Sequence, residues 1–395
     1  MQHQHINIWT LSRDKAEFDR FNGLLDGSLL NGIQEKAINE VLLAQAKETV
    51  VGKQSMVLVH DICDLRKKYS QSMQELGKVR DLEGHWINGY RSFDSVAIDV
   101  DKKQLHLLAC QVGKLDTDLN QAGLEQIVSL HKGLKEANPD VVLCHVLDRW
   151  FDDVDYFETL DALPDSRFVI RIKHWRNSDV EGHIEGATDH CPSEEIRRLK
   201  WGQKALQYSF TRMYEKFAWG EKVHHQVKAH FSYEPMVLKT KKYYLLKVEL
   251  TTRKGEKLFR QPMLLLSNYA IVGEEMALWV FHRYLKRSKI EGVFKFLKEH
   301  LGWENFQVRD FTSIANVIVL AYFIGGYFYE IESALTHDPA MKEICQLGYG
   351  KGKVTKLYFL RGLAKLAAWE EIQSMIDQKQ LTRDEVKELL KYYKT

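Results

Sequence analysis

Val141-Val142-Leu143-Cys144-His145-Val146-Leu147, closing on Asp148, is the stretch on which the fold turns. The run is short, rich in β-branched residues, preceded by Asn138-Pro139 and stopped by an acid, so it reads as a buried strand rather than a helix. On its N-terminal side residues 124–137 carry a helical pattern. On its C-terminal side a helix candidate at 154–163 ends before Pro164, and 167–172 reads as a further strand. Strand alternating with helix predicts a mixed α/β sheet covered on both faces.

Met56-Val57-Leu58-Val59-His60, closing on Asp61, reads as a strand of the same kind. Residues 95–100 and 104–112 flank Asp101-Lys102-Lys103 like the arms of a hairpin. Residues 10–50 read as short helices. From 174 to 261 the pattern turns basic, aromatic and β-branched, as in VHHQVKAHF and YYLLKVELTT, which predicts a β-rich insertion. Pro262-Met263-Leu264-Leu265-Leu266-Ser267 resumes the core. A helix is expected from 273 to about 302, followed by a helical last third whose final element opens on the capping box Thr382-Arg383-Asp384-Glu385. The expected organisation is a helical region 1–55, a first core segment 56–173, the insertion 174–261, a second core segment 262–334 and a helical region 335–395.

The chain has 395 residues, 45% apolar and 28% charged with 6 Pro, the composition of a folded protein with a sizeable core. Its net charge of +2 hides a basic segment: residues 197–260 hold 16 Lys or Arg against 5 Asp or Glu. Trp201, Tyr208, Tyr214, Phe217, Trp219, Phe231, Tyr233, Tyr243 and Tyr244 lie in the same segment, a combination suited to phosphate binding and base stacking, or to a solvated sheet with an aromatic core. Five cysteines with no CxxC pair suit a reducing cytoplasm and give no zinc spacing. The start MQHQHINIW does not read as a signal peptide, and 314–329, interrupted by Asn316 and Gly325-Gly326, reads as a buried helix rather than a membrane span. His60, His145, His174 and His224-His225 lack a metal spacing and read as core or surface histidines. GYGKGKV is not a phosphate-cradling loop, and no GxSxG or HExxH motif is present.

On one ideal helix Tyr284, Arg287, Glu291, Lys295 and Lys298 fall within an arc of about 80°, with Ile290, Val293, Phe294, Leu297 and Leu301 forming a core face beside them. A solvated charged face with an Arg287–Glu291 pair at i,i+4 accounts for part of this stripe.

The spacing of Tyr284, Arg287, Glu291 and Lys298 resembles the Tyr-Arg-Glu-Lys signature of the DDE transposases of bacterial insertion sequences of the insertion-sequence-four type. LVHDICDLRK with MQELGKVRDLEGHW resembles that family's first-Asp region, VLCHVLDRWFD its second-Asp region, and RFVIRIKH the strand after it, so the likeness runs from about 56 to 335. It implies an RNase H-like core in which Asp61, Asp148 and Glu291 hold two Mg²⁺ or Mn²⁺ ions per active site, Asp61 bridging both. Two hard cations need carboxylates on rigid elements. Asp64 competes with Asp61, and Asp152, Asp153 and Asp155 with Asp148, whose bland reading is a helix N-cap.

The resemblance further implies that Tyr284, Arg287, Lys295 and Lys298 grip phosphates near the scissile bond, with Arg171 and Lys173 as candidates for the same task. Met263 and Ser288 stand where some members carry tryptophans that handle a flipped base. Only 60 residues precede Asp61, and they hold no clear helix-turn-helix. The expected function is cut-and-paste transposition: double-stranded DNA is cut at terminal inverted repeats and joined to target DNA, by a homodimer on paired ends, in the bacterial cytoplasm at the nucleoid and with no membrane partner. The rival from another class is a catalytically silent, transposase-derived DNA-binding protein.

Overall fold

The computed structural model describes residues 15–26, 34–101, 104–113, 116–173, 208–213, 222–238, 241–252, 255–349, 352–378, 382 and 384–385. Expectations for 174–207, including His174 and Trp201, for Tyr214, Phe217 and Trp219, and for Cys191 lie outside them.

Two helices, α1 (Lys15–Leu25) and α2 (Glu35–Val50), precede the sheet. The strands β1 (Ser55–Arg66), β2 (Gly77–Arg80), β3 (Trp86–Ile98) and β4 (Leu105–Gly113) follow, with β3 antiparallel to each of the other three. Helix α3 (Asp116–Ala137) crosses to β5 (Val142–Leu147), and α4 (Val154–Ala162) crosses to β6 (Ser166–Arg171). Both crossovers are of the length that parallel pairing requires, and β1, β5 and β6 are parallel neighbours. This is the mixed α/β sheet expected from the sequence. Val57, Leu58 and Val59 of β1 are all fully buried, as a central strand covered on both faces demands.

The β-rich segment joins this same sheet. Strands β7 (Tyr208–Met213), β8 (Lys222–Leu238) and β9 (Lys241–Thr252) pair in antiparallel order, and β9 is stitched to β6 through β10 (Met263–Ser267). Among the described residues the path is β2-β3-β1-β5-β6-β10-β9-β8-β7, with β4 on the same edge of β3 as β2. Phe231 and Tyr243 are buried, and Tyr233 and Tyr244 are partly buried against the core, so these four serve as core aromatics.

The expected helix at 273–302 is two helices, α5 (Glu274–Leu285) and α6 (Ser288–His300). Between them the backbone tightens to i→i−3 bonds, with Lys286 N–H donating to Arg283 and Arg287 N–H to Tyr284. The change of pitch breaks the single stripe assumed for an unbroken helix. Helix α7 (Phe311–Glu330), capped by Asp310, lies on β4 with α6 against it. A Cβ at Gly325 would overlap Leu297 of α6, so glycine sets that close approach. This helix is long and apolar enough to cross a membrane by length and composition, yet two-thirds of its apolar window is buried in the protein. Helices α8 (Pro339–Leu347) and α9 (Lys356–Asp377) pack together against Phe296 and Phe328. Beyond them Thr382 N–H donates to the Glu385 carboxylate and Glu385 N–H to the Thr382 hydroxyl, the reciprocal bonds of the expected capping box. Thus α5, α6 and α7 cover one face of the sheet and α3 and α4 the other.

Candidate active site

Asp61 does not end its strand. β1 runs five residues further, held antiparallel to β3 by pairs such as Cys63↔Ser92 and Leu65↔Tyr90. What ends near Asp61 is the parallel pairing with β5, whose last register partners are Val59 and Val146. Stepping two residues further on each strand keeps the same face and arrives at Asp61 and Asp148. The β5–β6 register, with Leu147 opposite Ile170, puts Arg171 next in the row. On the other side Asp61 faces Asp94 of β3, which faces Cys110 of β4. Sheet register alone therefore lines up Cys110, Asp94, Asp61, Asp148 and Arg171 at one level.

Helices α5 and α6 deliver the remaining groups. The turn between them aims Arg287 at the row: Nη1 donates to Asp61 Oδ2 at 2.8 Å and lies 3.9 Å from Asp148 Oδ2, while Nη2 donates to Glu291, one helical turn away. Asp61, Asp148 and Glu291, distant in the chain, thus gather about one guanidinium. Burial, with Asp148 and Glu291 as like charges, pushes the Asp61 carboxyl up to about 7 against the pull of Arg287 and the Ile62 N–H. Burial opposes the charge of Arg287, but Asp61, Tyr284, Glu291 and Asp148 outweigh it and raise its pKa. Asp94, buried and accepting from Ser92 Oγ at 2.7 Å, is pushed up to about 7 chiefly by burial.

Asp148 also performs the capping role open to it from the sequence, its Oδ1 accepting from Trp150 N–H at 2.6 Å. Its other oxygen remains toward Arg287. Asp64 turns away from the row: it pairs with Arg91 at 2.8 Å and accepts from Arg80 N–H. Asp152 accepts from the Lys173 backbone at 2.8 Å, and Asp153 caps α4. Asp64, Asp152 and Asp153 therefore have local duties, and Asp155 sits in the first turn of α4.

The basic candidates divide. Tyr284 is 5% exposed, and burial holds its hydroxyl above the usual range against the opposing charges of Arg171 and Arg287 nearby. Lys298 donates to the Asp64 carbonyl at 2.5 Å and lies 3.2 Å from Glu304, which also receives the Arg66 fork. Lys295 points outward, its side chain 67% exposed and 3.9 Å from Glu299. Lys173 is exposed. Tyr284, Arg287 and Arg171 are thus gathered with the acids, whereas Lys295, one turn beyond Glu291 on the same helix, is turned to solvent.

Two groups escaped the sequence reading. Asp94 lies one residue before the hairpin arm read at 95–100, in a strand that also carries Arg91, Ser92 and Ser95, so no local pattern singles it out. Trp150, half exposed beside Asp148 with Arg91 5.3 Å from its ring centroid, signalled itself only as an aromatic after the acid.

As for cations, three carboxylates, on β1, just past β5 and on α6, are hard oxygen donors of the kind that suit Mg²⁺ or Mn²⁺. Arg287 spreads the three, so they do not close on one another. Among the described residues the acid or histidine group whose ligand atoms lie within 4.8 Å of one another is Asp81, Glu83 and His85 in the β2–β3 turn. There Asp81 accepts from the backbone N–H groups of Glu83 and His85, as a turn acid does. No family model and no curated protein matches the chain, so the reading of this site stands on its geometry and its motifs.

Proposed function

We propose that the chain is a metal-dependent DNA transposase of the DDE kind, built on an RNase H-like core. The observation that carries this reading is the convergence of Asp61, Asp148 and Glu291 about Arg287. The strand order β4-β3-β1-β5-β6, antiparallel in its first three members and parallel in its last three, supports the RNase H-like assignment.

Asp61, Asp148 and Glu291 would hold the divalent ions, which when bound activate an attacking water or DNA 3′ hydroxyl and stabilise the leaving oxygen. The chain's own groups prepare that event. Arg287 neutralises the acids and turns its forked donors to a phosphate oxygen once other positive charge stands among them. Arg171, next to Tyr284, offers a second fork at the same level of the sheet. By the same reading the protein acts as a homodimer on paired transposon ends, cutting and joining double-stranded DNA in the bacterial cytoplasm.

The test incubates the full chain with labelled DNA bearing the inverted repeats that flank its own gene, with Mg²⁺ or Mn²⁺. Cutting by the unmutated chain, lost with binding retained in Asp61→Asn, Asp148→Asn and Glu291→Gln, supports the enzyme. Binding without cutting by the unmutated chain selects the silent DNA-binding protein instead.

A further inference from the structure

Beyond the acid site, β1 ends at a second feature. Lys67, the residue after the strand, is 8% exposed, and it forms the floor of an open pocket of about 580 Å³ whose rim includes the exposed Tyr69, Gln71, Gln307 and Arg309, with Asn305 beside them. No carboxylate lines it. The wall offers two cations with amide and hydroxyl groups, a set rich in donors. The Lys67 ammonium donates to the Phe306 carbonyl and lies 3.5 Å from the centroid of that ring, contacts that fix the side chain without neutralising it. Glu304, the nearest acid acting on it, is already engaged by Arg66 and Lys298. Burial holds the Lys67 amine down at about 8. The cavity is braced: Gln74 N–H donates to the Arg309 carbonyl, Phe311 N–H to the Gln74 side chain, Tyr90 to the Gln74 carbonyl and Asn88 to the Ser70 carbonyl.

A braced, donor-rich cavity with a buried cation and no acid in its wall is built for an oxyanion. We propose that it binds a phosphate of the DNA backbone, anchoring the duplex away from the acids. Six residues of extended chain separate Lys67 from Asp61, about 20 Å. That is less than one turn of duplex, so one DNA molecule touches both places. The inference rests on the proposed DNA substrate, and its readouts are separate from cutting.

The first readout is amine-directed labelling of Lys67 in the full chain, followed by mass spectrometry. The flanking-repeat duplex is expected to protect Lys67 at concentrations where inorganic phosphate does not. Protection by inorganic phosphate with none from duplex overturns the DNA assignment and makes the cavity a small-anion site. The second is binding of the same duplex by anisotropy across a salt series. Lys67→Met and Arg309→Gln are each expected to make the salt slope shallower by about one unit and to weaken binding by roughly 10-fold, with Lys67→Arg restoring the slope. A Lys67→Met or Arg309→Gln protein that melts like the parent and keeps the parental slope overturns the proposal. Protection of Lys67 by duplex in a chain that cuts no DNA leaves this site standing while the enzymatic reading fails.

Discussion

The strands that carry Asp61 and Asp148 on one face carry His60 and His145 on the other, and the two rows are built on opposite terms. In the histidine row His60 Nδ1 meets Ser95 Oγ at 2.7 Å, His60 Nε2 meets His145 Nδ1 at 3.0 Å, His145 Nε2 meets His131 Nδ1 at 3.0 Å, and His131 Nε2 meets the Pro164 carbonyl at 2.9 Å. A carbonyl only accepts, so each imidazole in turn must donate toward Pro164, which orders the protons along the row and makes Ser95 the donor at its head. Every ring nitrogen is satisfied and neutral. The acid row has three carboxylates on one shared guanidinium. One face is closed chemistry that holds β1, β5 and α3 together. The other face sets its carboxylates about Arg287 with Arg171 at the same level, an arrangement open to added cations under the proposed function.

Breaking the acid row is expected to have the largest effect. Asp61→Asn, Asp148→Asn or Glu291→Gln should lower cutting of flanking-repeat DNA by more than the roughly 100-fold that changes outside the ligand set produce. Folding should be untouched or improved, because each substitution removes a like charge from a crowded site. A substitution that unfolds the chain while leaving residual cutting proportional to the folded fraction would reverse the roles assigned to the two rows.

Breaking the histidine row should do the converse. His145→Phe strands His60 Nε2 and His131 Nδ1 in a dry interior, at about 1–3 kcal/mol each. The expected loss is about 2–6 kcal/mol in urea unfolding, with the metal dependence of the remaining folded protein unchanged. A shifted metal requirement would join the two rows into one functional unit.

Acidity separates the rows further, with opposite signs. Burial drives the His60 imidazole down to about 3 and lowers those of His145 and His131. Folding therefore excludes protons that the unfolded chain binds below its ordinary histidine value of about 6.5. This contribution to stability is intact above that value and falls as pH drops below it, by about 1.4 kcal/mol per unit for each imidazole that stays neutral. Asp94 works the other way: pushed up to about 7, it keeps a proton that the unfolded chain has released above about 3.9, so its contribution is lost as pH rises from about 3.9 to about 7. Asp94→Asn removes that linkage. Its stability relative to the parent should climb between pH 4 and 7 and then level; a difference that stays flat across this range would mean that the Asp94 carboxyl titrates in its ordinary place.

Much of this arrangement was legible in the residues. Val57-x-Val59-x-Asp61 and Cys144-x-Val146-x-Asp148 repeat one pattern, so once the strands are parallel neighbours in that register the acids must meet. The alternation of strand and helix from β5 to β6 was readable for the same reason, being local and periodic. Three things were not. The start of α3 at Asp116 lies in a polar stretch with no apolar period to reveal it. The pairing of β9 with β10 joins segments by long-range register that no local pattern encodes. The break at Lys286-Arg287 contains neither glycine nor proline; it shows only in the folded chain, where Arg287 meets acids from two strands while keeping its i,i+4 pair with Glu291.

The residues downstream of this break give the finest test. Lys295 and Lys298 fall on one arc of an unbroken helix, yet in the folded chain they have different environments. Lys298 is 18% exposed and engaged by the Asp64 carbonyl and Glu304, so Lys298→Ala should cost about 1–3 kcal/mol and loosen the end of β1. Lys295 is 67% exposed, with a long contact to Glu299, so Lys295→Ala should change stability by no more than about 0.5 kcal/mol and leave cutting at the parental rate. A cutting defect in Lys295→Ala at full stability would return that exposed side chain to the DNA beside Glu291, one turn away on α6.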